Sequence, residues 1–160
     1  MSFLAVANPP AKGEEPAVAN DGFWPEIDRE KLREDIRLDG TATAARLERA
    51  LLAAMWSVNG ELQDWKAAQV AAGYTTLQDV PAYQLGATSV KVHQYLAAIY
   101  ANVQAQLAEA YRDISTLPQG AGKEARVQSG IEIRIDGFNQ AQRWAIADLR
   151  GGSRVIAELL

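Results

Sequence analysis

The sequence predicts a mainly α protein, a bundle of two long and two or more shorter helices. Apolar residues recur in steps of three and four from Leu47 to Ala72, and again from Val92 to Ile114. That is the helical period. The first run also keeps its phase through Asn59-Gly60, a dipeptide that is otherwise the strongest short hairpin signal. A hairpin needs alternation on both sides of the turn, and the flanking "AAMW" and "ELQDW" do not supply it.

Composition sets the frame for these helices. The chain has 160 residues, 48% of them apolar and 22% charged, with a net charge of −4. A single domain of this size buries roughly 70% of its unfolded surface and needs no disulfide or metal to fold. There is no cysteine, which excludes thiolate zinc sites and a cysteine nucleophile. Lys and Arg are scattered, without the basic stripe of a sequence-reading DNA binder. The start, "MSFLAVANPPAKGEEP", lacks the basic region and the apolar run of a secretory signal. The longest charge-free stretch, Val92 to Ala108, carries His93, Asn102 and several glutamines, so no membrane span is expected.

In chain order, residues 1–22 are expected to form a flexible N-terminal arm. Pro9, Pro10 and Pro16 sit there among Ala, Gly, Glu and Asn with no periodicity. A helical domain over 23–153 follows. Its first element is a short helix with Asp28 as N-cap, a hydrophobic staple between Ile27 and Leu32, and Gly40 as the stop. Thr43 caps the next helix, expected over about 44–72 and weakened at Asn59-Gly60, because glycine costs about 1 kcal/mol against alanine inside a helix. Leu52, Met55 and Trp56 lie off its main stripe. This second apolar flank must be covered either by another helix of the chain or by a neighbouring subunit.

Gly73 ends that helix. "YTTLQDVPAYQLGA" connects it to the next, with one helical turn at Thr76–Asp79 ended by Pro81. Thr88 or Ser89 caps the second long helix. Tyr95, Tyr100 and Tyr111 flank its stripe, and Ala, Gln and Asn make up most of the rest. So little charge suits close packing on several sides, as in an interface core. Leu117 to Gly120 ends it. "GIEIRID" alternates at the strand period, so a short strand is expected near 131–135, with a hairpin edge or a frayed helix start as the alternatives. "GFNQAQRWAIADLRGG" predicts a helix broken at Gly151-Gly152, and residues 154–160 an extended C-terminal segment.

No constellation for chemistry emerges. His93 is the sole histidine, without the second ligand at fixed spacing that a metal site needs. None of the serines sits in a nucleophile elbow. Gly120-Ala121-Gly122-Lys123 has the glycines of a phosphate loop, but no strand precedes it and Glu124 follows the lysine. The four tryptophans lack the basic neighbours of a nucleotide-stacking platform. No catalytic, metal or cofactor-binding residue is assigned. From its residues alone, the chain is a helical interaction protein with surplus apolar surface.

At "DGFWPEID", "RLDGTAT", "RLERAL", "SVNGELQDWKAAQ", "AAGYTTLQDVPA", "AYRD" and "RWAIADLRG" the chain resembles the phage head completion protein (GPL) family of contractile-tailed phages. The likeness rests on the order and spacing of these stretches, from about Asp21 to Leu160. It departs from the family at Gly60, where a charged helix former is expected, and at "SGIEIRIDGFNQ", where an acidic helix is expected.

The resemblance implies a non-enzymatic head-tail connector located in the virion neck, and in the host cytoplasm during assembly. Such a protein would ring beneath the portal after packaging, retain the genome and offer a docking surface to the tail. Its implied partners are further copies of itself in a ring, dodecameric in related adaptor folds, the portal above, and a tail-side terminator or completion protein below. Packaged DNA would pass through the lumen without specific binding, and no membrane or cofactor is involved. A closed ring needs two different faces on each subunit. Leu52, Met55, Trp56, Tyr95, Tyr100 and Tyr111 are expected to supply them. Phe3 and Leu4 at one end, and Val155, Ile156, Leu159 and Leu160 at the other, are expected to dock partners. The alternatives are another connector part, such as a tail-side completion protein, and more distantly a helical regulator binding DNA or a small ligand.

Overall fold

The computed structural model describes residues 15–36, 42–115 and 123–154, of which 112–115 and 123–129 are described as backbone only. The protein is mainly α. Its elements are α1 (Arg29–Asp35), α2 (Ala44–Glu61), α3 (Gln63–Ala71), a 3-10 turn (Leu77–Asp79), a hairpin of β1 (Gln84–Leu85) and β2 (Thr88–Ser89), α4 (Val90–Ser115) and α5 (Lys123–Arg150).

Helix starts follow local chemistry. The Asp28 carboxylate accepts from the N–H groups of Glu30 and Lys31, and the Thr43 hydroxyl accepts from Arg46 N–H. These are first-turn donors with no partner inside the helix. Ile27 and Leu32 are fully buried, as a staple at the start of α1 requires. α1 ends at Asp35, short of Gly40, which lies outside the described residues.

Asn59-Gly60 does not turn the chain. Helical bonding continues past it, with Leu62 N–H on Val58 O at 3.0 Å and Lys66 N–H on Leu62 O at 2.9 Å. The joint is Leu62 (φ −95°, ψ 5°), where α2 hands over to α3. α3 closes at Gly73, whose φ of +96° suits glycine. There Tyr74 N–H reaches Gln69 O at 3.1 Å, completing a Schellman stop.

α4 is the central element, packed against α2 and along α5. Its poverty in charge follows from having neighbours of its own chain on two sides. The core joins Leu47, Leu51, Ala54, Val58 and Leu62 to Tyr95, Ile99 and Val103, with Ile146 and Leu149 of α5 closing it.

The strand expected at 131–135 is instead helix. Ile135 is buried and Ile131 half-buried, whereas Ile133 is 70% exposed. Residues 131 and 135 are four apart, so they share one helical face. That face continues through half-buried Phe138 and Gln142 to buried Ile146 and Leu149, in steps of three and four. A run of three alternating isoleucines satisfies both periods. The long contact with α4 selects the helical one. The unforeseen element is the hairpin: Gly86 and Ala87 both take positive φ, +58° and +62°, the pattern of a two-residue type I′ turn.

Candidate functional site

The best-built polar site of the protein is a junction between the N-terminal segment, α2 and α4. The Tyr95 hydroxyl donates to Asn59 Oδ1 at 2.6 Å and accepts from Asn20 Nδ2 at 2.9 Å. Asn59 Nδ2 donates to Asn20 Oδ1 at 3.0 Å, closing the ring of three side chains. The dipeptide that looks like a turn signal thus supplies a bridging amide. Burial, the largest influence, pushes the Tyr95 phenol well above its ordinary value, so it serves as a neutral hydrogen-bonding group. Trp24 stacks on Tyr95 at 4.7 Å and on Trp65 at 6.2 Å, and Phe23 meets Trp24 edge-on at 4.9 Å. The tryptophans of this cluster are core anchors.

Residues 15–22, placed in the arm by their composition, lie along this junction. Val18 and Ile27 exchange backbone bonds of 2.8 and 2.9 Å. Arg29 donates to Pro16 O at 2.7 Å and pairs with Glu48 at 3.3 Å. Arg33 pairs with Glu15 at 2.9 Å and donates to Ala42 O at 2.9 Å. Both guanidiniums are buried and join the N-terminal segment to the start of α2, as the planar fork of arginine allows. Residues 1–14, with Phe3 and Leu4, lie outside the described residues.

The residues expected at a subunit surface divide into two groups. Met55 is 6% exposed and Tyr95 is 0% exposed, so both are packed inside the protomer, a correction to their expected surface role. Both belong to the core formed where α2 and α4 pack, with Tyr95 further covered by Trp24 and Asn20. Leu52 is 50% and Trp56 84% exposed on the uncovered edge, and Tyr111 is exposed towards the end of α4. Tyr100 is half-buried beside α1. Burial, helped by the carboxylates of Asp35 and Asp28, pushes its phenol up to about 12. Ile133 on α5, and Tyr83 and Leu85 at the hairpin, add exposed apolar surface that sequence reasoning missed. The signal for the hairpin was Gly86, the residue best able to take positive φ there.

At the other end of the bundle, Gly151 (φ +77°) and Gly152 stop α5 with a second Schellman turn, Gly152 N–H reaching Ala147 O at 2.9 Å. The Lys91 ammonium donates to Leu149 O and the Arg150 guanidinium to Glu61 O, tying this end to α4 and to the α2–α3 joint. Arg154 folds back over Trp144 at 5.3 Å and pairs with Asp148 at 2.6 Å. That hydrogen bond holds the Asp148 carboxyl below the usual carboxylate range. Val155, Ile156, Leu159 and Leu160 lie outside the described residues. His93 Nε2 contacts Leu85 O at 2.9 Å, where it braces the hairpin.

Among the described residues no three His, Asp or Glu side chains gather as metal ligands, and no helix is long and apolar enough to cross a membrane. What the surface offers is an unpartnered tryptophan and several aliphatic side chains on a mildly acidic helical bundle. Such a surface is suited to contact with other proteins, as in an assembly protein. Comparison with known proteins is specific. Residues 18–160 match the family described as phage head completion protein (GPL), and the chain belongs to that family. It is 36% identical over 151 residues to the head completion/stabilization protein of Escherichia phage P2, covering 94% of this chain and 87% of that relative. No solved structure matches. The family is structural, and head completion in a phage virion is the role it carries.

Proposed function

We propose that this head completion protein acts at the neck of the virion. It assembles in the host cytoplasm into a dodecameric ring beneath the portal once DNA is packaged, retains the genome, and presents the surface on which the tail docks. The observation that carries this reading is the bare edge of α2: Trp56, 84% exposed, and Leu52, 50% exposed, stand one helical turn apart with no covering element among the described residues. A large aromatic in that position is a characteristic anchor of protein interfaces.

A closing ring is heterologous, so a different patch must receive this edge. Ile133 on α5 and Tyr111 on α4 are the exposed candidates. The expected arm, residues 1–22, is held along the bundle from residue 15 onwards, so the portal contact is assigned to residues 1–14, and the contact with a tail-side completion protein, by strand addition, to residues 155–160. The acidic balance supports a lumen that passes DNA, since each phosphate-bound cation would add salt-sensitive affinity.

Electron microscopy of the purified protein mixed with its portal tests the reading. The expected result is a ring of added density on the face of the portal through which DNA leaves, lost with Trp56→Ser. A bare portal in the presence of folded, saturating protein overturns it. A compact dimer that retards short duplex DNA would favour a regulator instead.

A further inference from the structure

An exposed indole anchors an interface best when a recess receives it, and Ile133 and Tyr111 are side chains that project. A recess lies elsewhere. α4 and α5 leave a groove of about 330 Å³ walled by Ala97, Ala141, Ala145 and Trp144, with Gln94 beside them. Gln94 Oε1 is buried with no hydrogen-bond partner among the described residues. Native proteins rarely leave a buried acceptor unpaired.

Helical position sets this groove opposite the indole. Trp56 lies midway between Ala54 and Val58, which face the core, and Ala97 lies midway between Tyr95 and Ile99, which face it from α4. Residues two apart do not share a helix face. α2 and α4 pack on each other, so the indole points out from one side of the pair and the groove opens on the other. A contact from one side of a copy to the other side of the next is the head-to-tail kind that closes a ring.

The two sides also match in chemistry. The indole has a donor and no acceptor, and the groove holds an acceptor without a donor. Two turns before Trp56, roughly 10 Å along α2, Arg49 is exposed. Glu34 and Asp35 of α1 line a recess that adjoins the groove and shares His93 and Ala97 with it. None of these three charges has an ion-pair partner among the described residues, whereas Lys31 in the same recess is paired with Asp28 at 3.8 Å. Gly60, one turn after Trp56, is exposed, and a Cβ there would meet nothing in the protomer. Glycine within a helix costs about 1 kcal/mol against alanine, and nothing inside the chain requires it here. Against a second copy it permits close approach of the two surfaces.

We propose that Trp56 of one copy seats in the α4–α5 groove of the next, its indole N–H donating to Gln94 Oε1 after a turn of that amide. Arg49 then stands against Glu34 and Asp35, and Gly60 makes room for the rim of the groove. This contact, which rests on the ring reading, supplies the face that receives each copy.

The chain has no cysteine. Ser57→Cys and Ala141→Cys, both at exposed positions, therefore place single thiols beside Trp56 and at the groove. Full-length chains of the two kinds are mixed, bound to the portal and treated with a short bismaleimide. Covalent dimers are expected from the mixture and from neither variant alone. Gly60→Gln introduces a better helix former at an open position. Added to the Ser57→Cys chains, it should keep or raise the denaturation midpoint and abolish the cross-link. A portal that stays bare overturns the ring and this contact together. Bound copies that do not cross-link, or that do so from one variant alone, overturn the contact and leave the ring standing. A cross-link that Gly60→Gln leaves at full yield does the same, as does one that Ile133→Cys gives in place of Ala141→Cys. A lowered midpoint in Gly60→Gln would give the glycine a role inside the chain and overturn its part in the contact.

Discussion

The two apolar edges of α2 are built from the same residue types and meet opposite fates. Leu47, Leu51, Ala54, Met55, Val58 and Leu62 are buried in one core with residues of α4 and the aromatic junction, whereas Leu52 and Trp56, a short rotation away, face outward. Helical amphipathicity explains the first edge and leaves the second without a purpose inside the protomer. The contrast separates two kinds of selection on one helix: residues that hold the domain together, and residues left for contact with something else. Substitutions on the two edges should therefore differ in kind.

The largest effect is expected on the closed edge. Leu51 is fully buried, and Leu51→Ala removes packed side-chain volume that the surrounding helices cannot fully recover. A loss of about 2–5 kcal/mol is expected, read as a lowered denaturation midpoint with an unchanged m-value. A loss below about 1 kcal/mol would mean that this edge is loosely packed, and would weaken the contrast.

Next comes the polar junction on the same side. Tyr95→Phe keeps the ring stack on Trp24 and deletes only the hydroxyl, leaving Asn59 Oδ1 without its 2.6 Å donor, while Asn20 Nδ2 loses its 2.9 Å acceptor but keeps Pro25 O at 3.2 Å. Unpaired groups of this kind cost about 1–3 kcal/mol. Asn59→Ala with Tyr95→Phe should cost less than the sum of the two single changes, because the partners are coupled. A double-mutant cycle measured by chemical denaturation checks this.

The same contrast marks how far the sequence could be followed. Long stripes, caps and stops were legible because each is a local pattern: Asp28, Thr43 and Gly73 act on their own helix ends, and the stripe of α4 repeats often enough to fix its phase. The isoleucines at 131, 133 and 135 were misleading because three residues are too few to separate two periods, and the wall of α4 decided between them. The hairpin at 84–89 carried no period, because its strands are two residues long, and Gly86 was its one local mark. Met55 and Tyr95 could not be told from Leu52 and Trp56 by position on the helical wheel, since only the approach direction of α4 decides which flank is covered. Asn59 was noticed for the wrong reason. Its partners Asn20 and Tyr95 are distant in sequence, and a contact between distant residues leaves no local mark. Residues 15–20 looked like part of an arm for a similar reason: their fastening depends on Arg29 and Arg33 of α1.

On the open edge, Leu52→Ser with Trp56→Ser should leave the protomer nearly as stable as before, within about 0.5 kcal/mol, while abolishing association with the portal in a sedimentation assay. Stability lost together with association would mean that this edge is also structural, and the division between the two edges of α2 would disappear.

The smallest effect is a titration confined to the closed side. The Asp21 carboxylate lies partly buried, and burial, the largest single influence, pushes its pKa up. Opposing that, it accepts from the Lys66 ammonium and from the N–H groups of Trp24 and Phe23, at 3.3 and 3.1 Å, and it feels the lysine charge. Together these hold it below the ordinary value of 3.8. A carboxyl depressed on folding binds more protons in the unfolded chain, so its stabilisation is fully present above pH 3.8 and fades as pH falls through the lowered native value. Carbon-detected titration should give a midpoint below 3.8 for Asp21, and Lys66→Met should raise it, because the hydrogen bond and the charge leave together while the two backbone donors remain. A native midpoint above 3.8 would mean that burial wins and that the Asp21–Lys66 link does not brace the aromatic junction. Trp56 and Leu52, on the other edge of α2, should show a smaller chemical-shift change across this acid range than Phe23 and Trp24, whose N–H groups donate to Asp21, which would keep the two edges of α2 distinct in pH response as they are in packing.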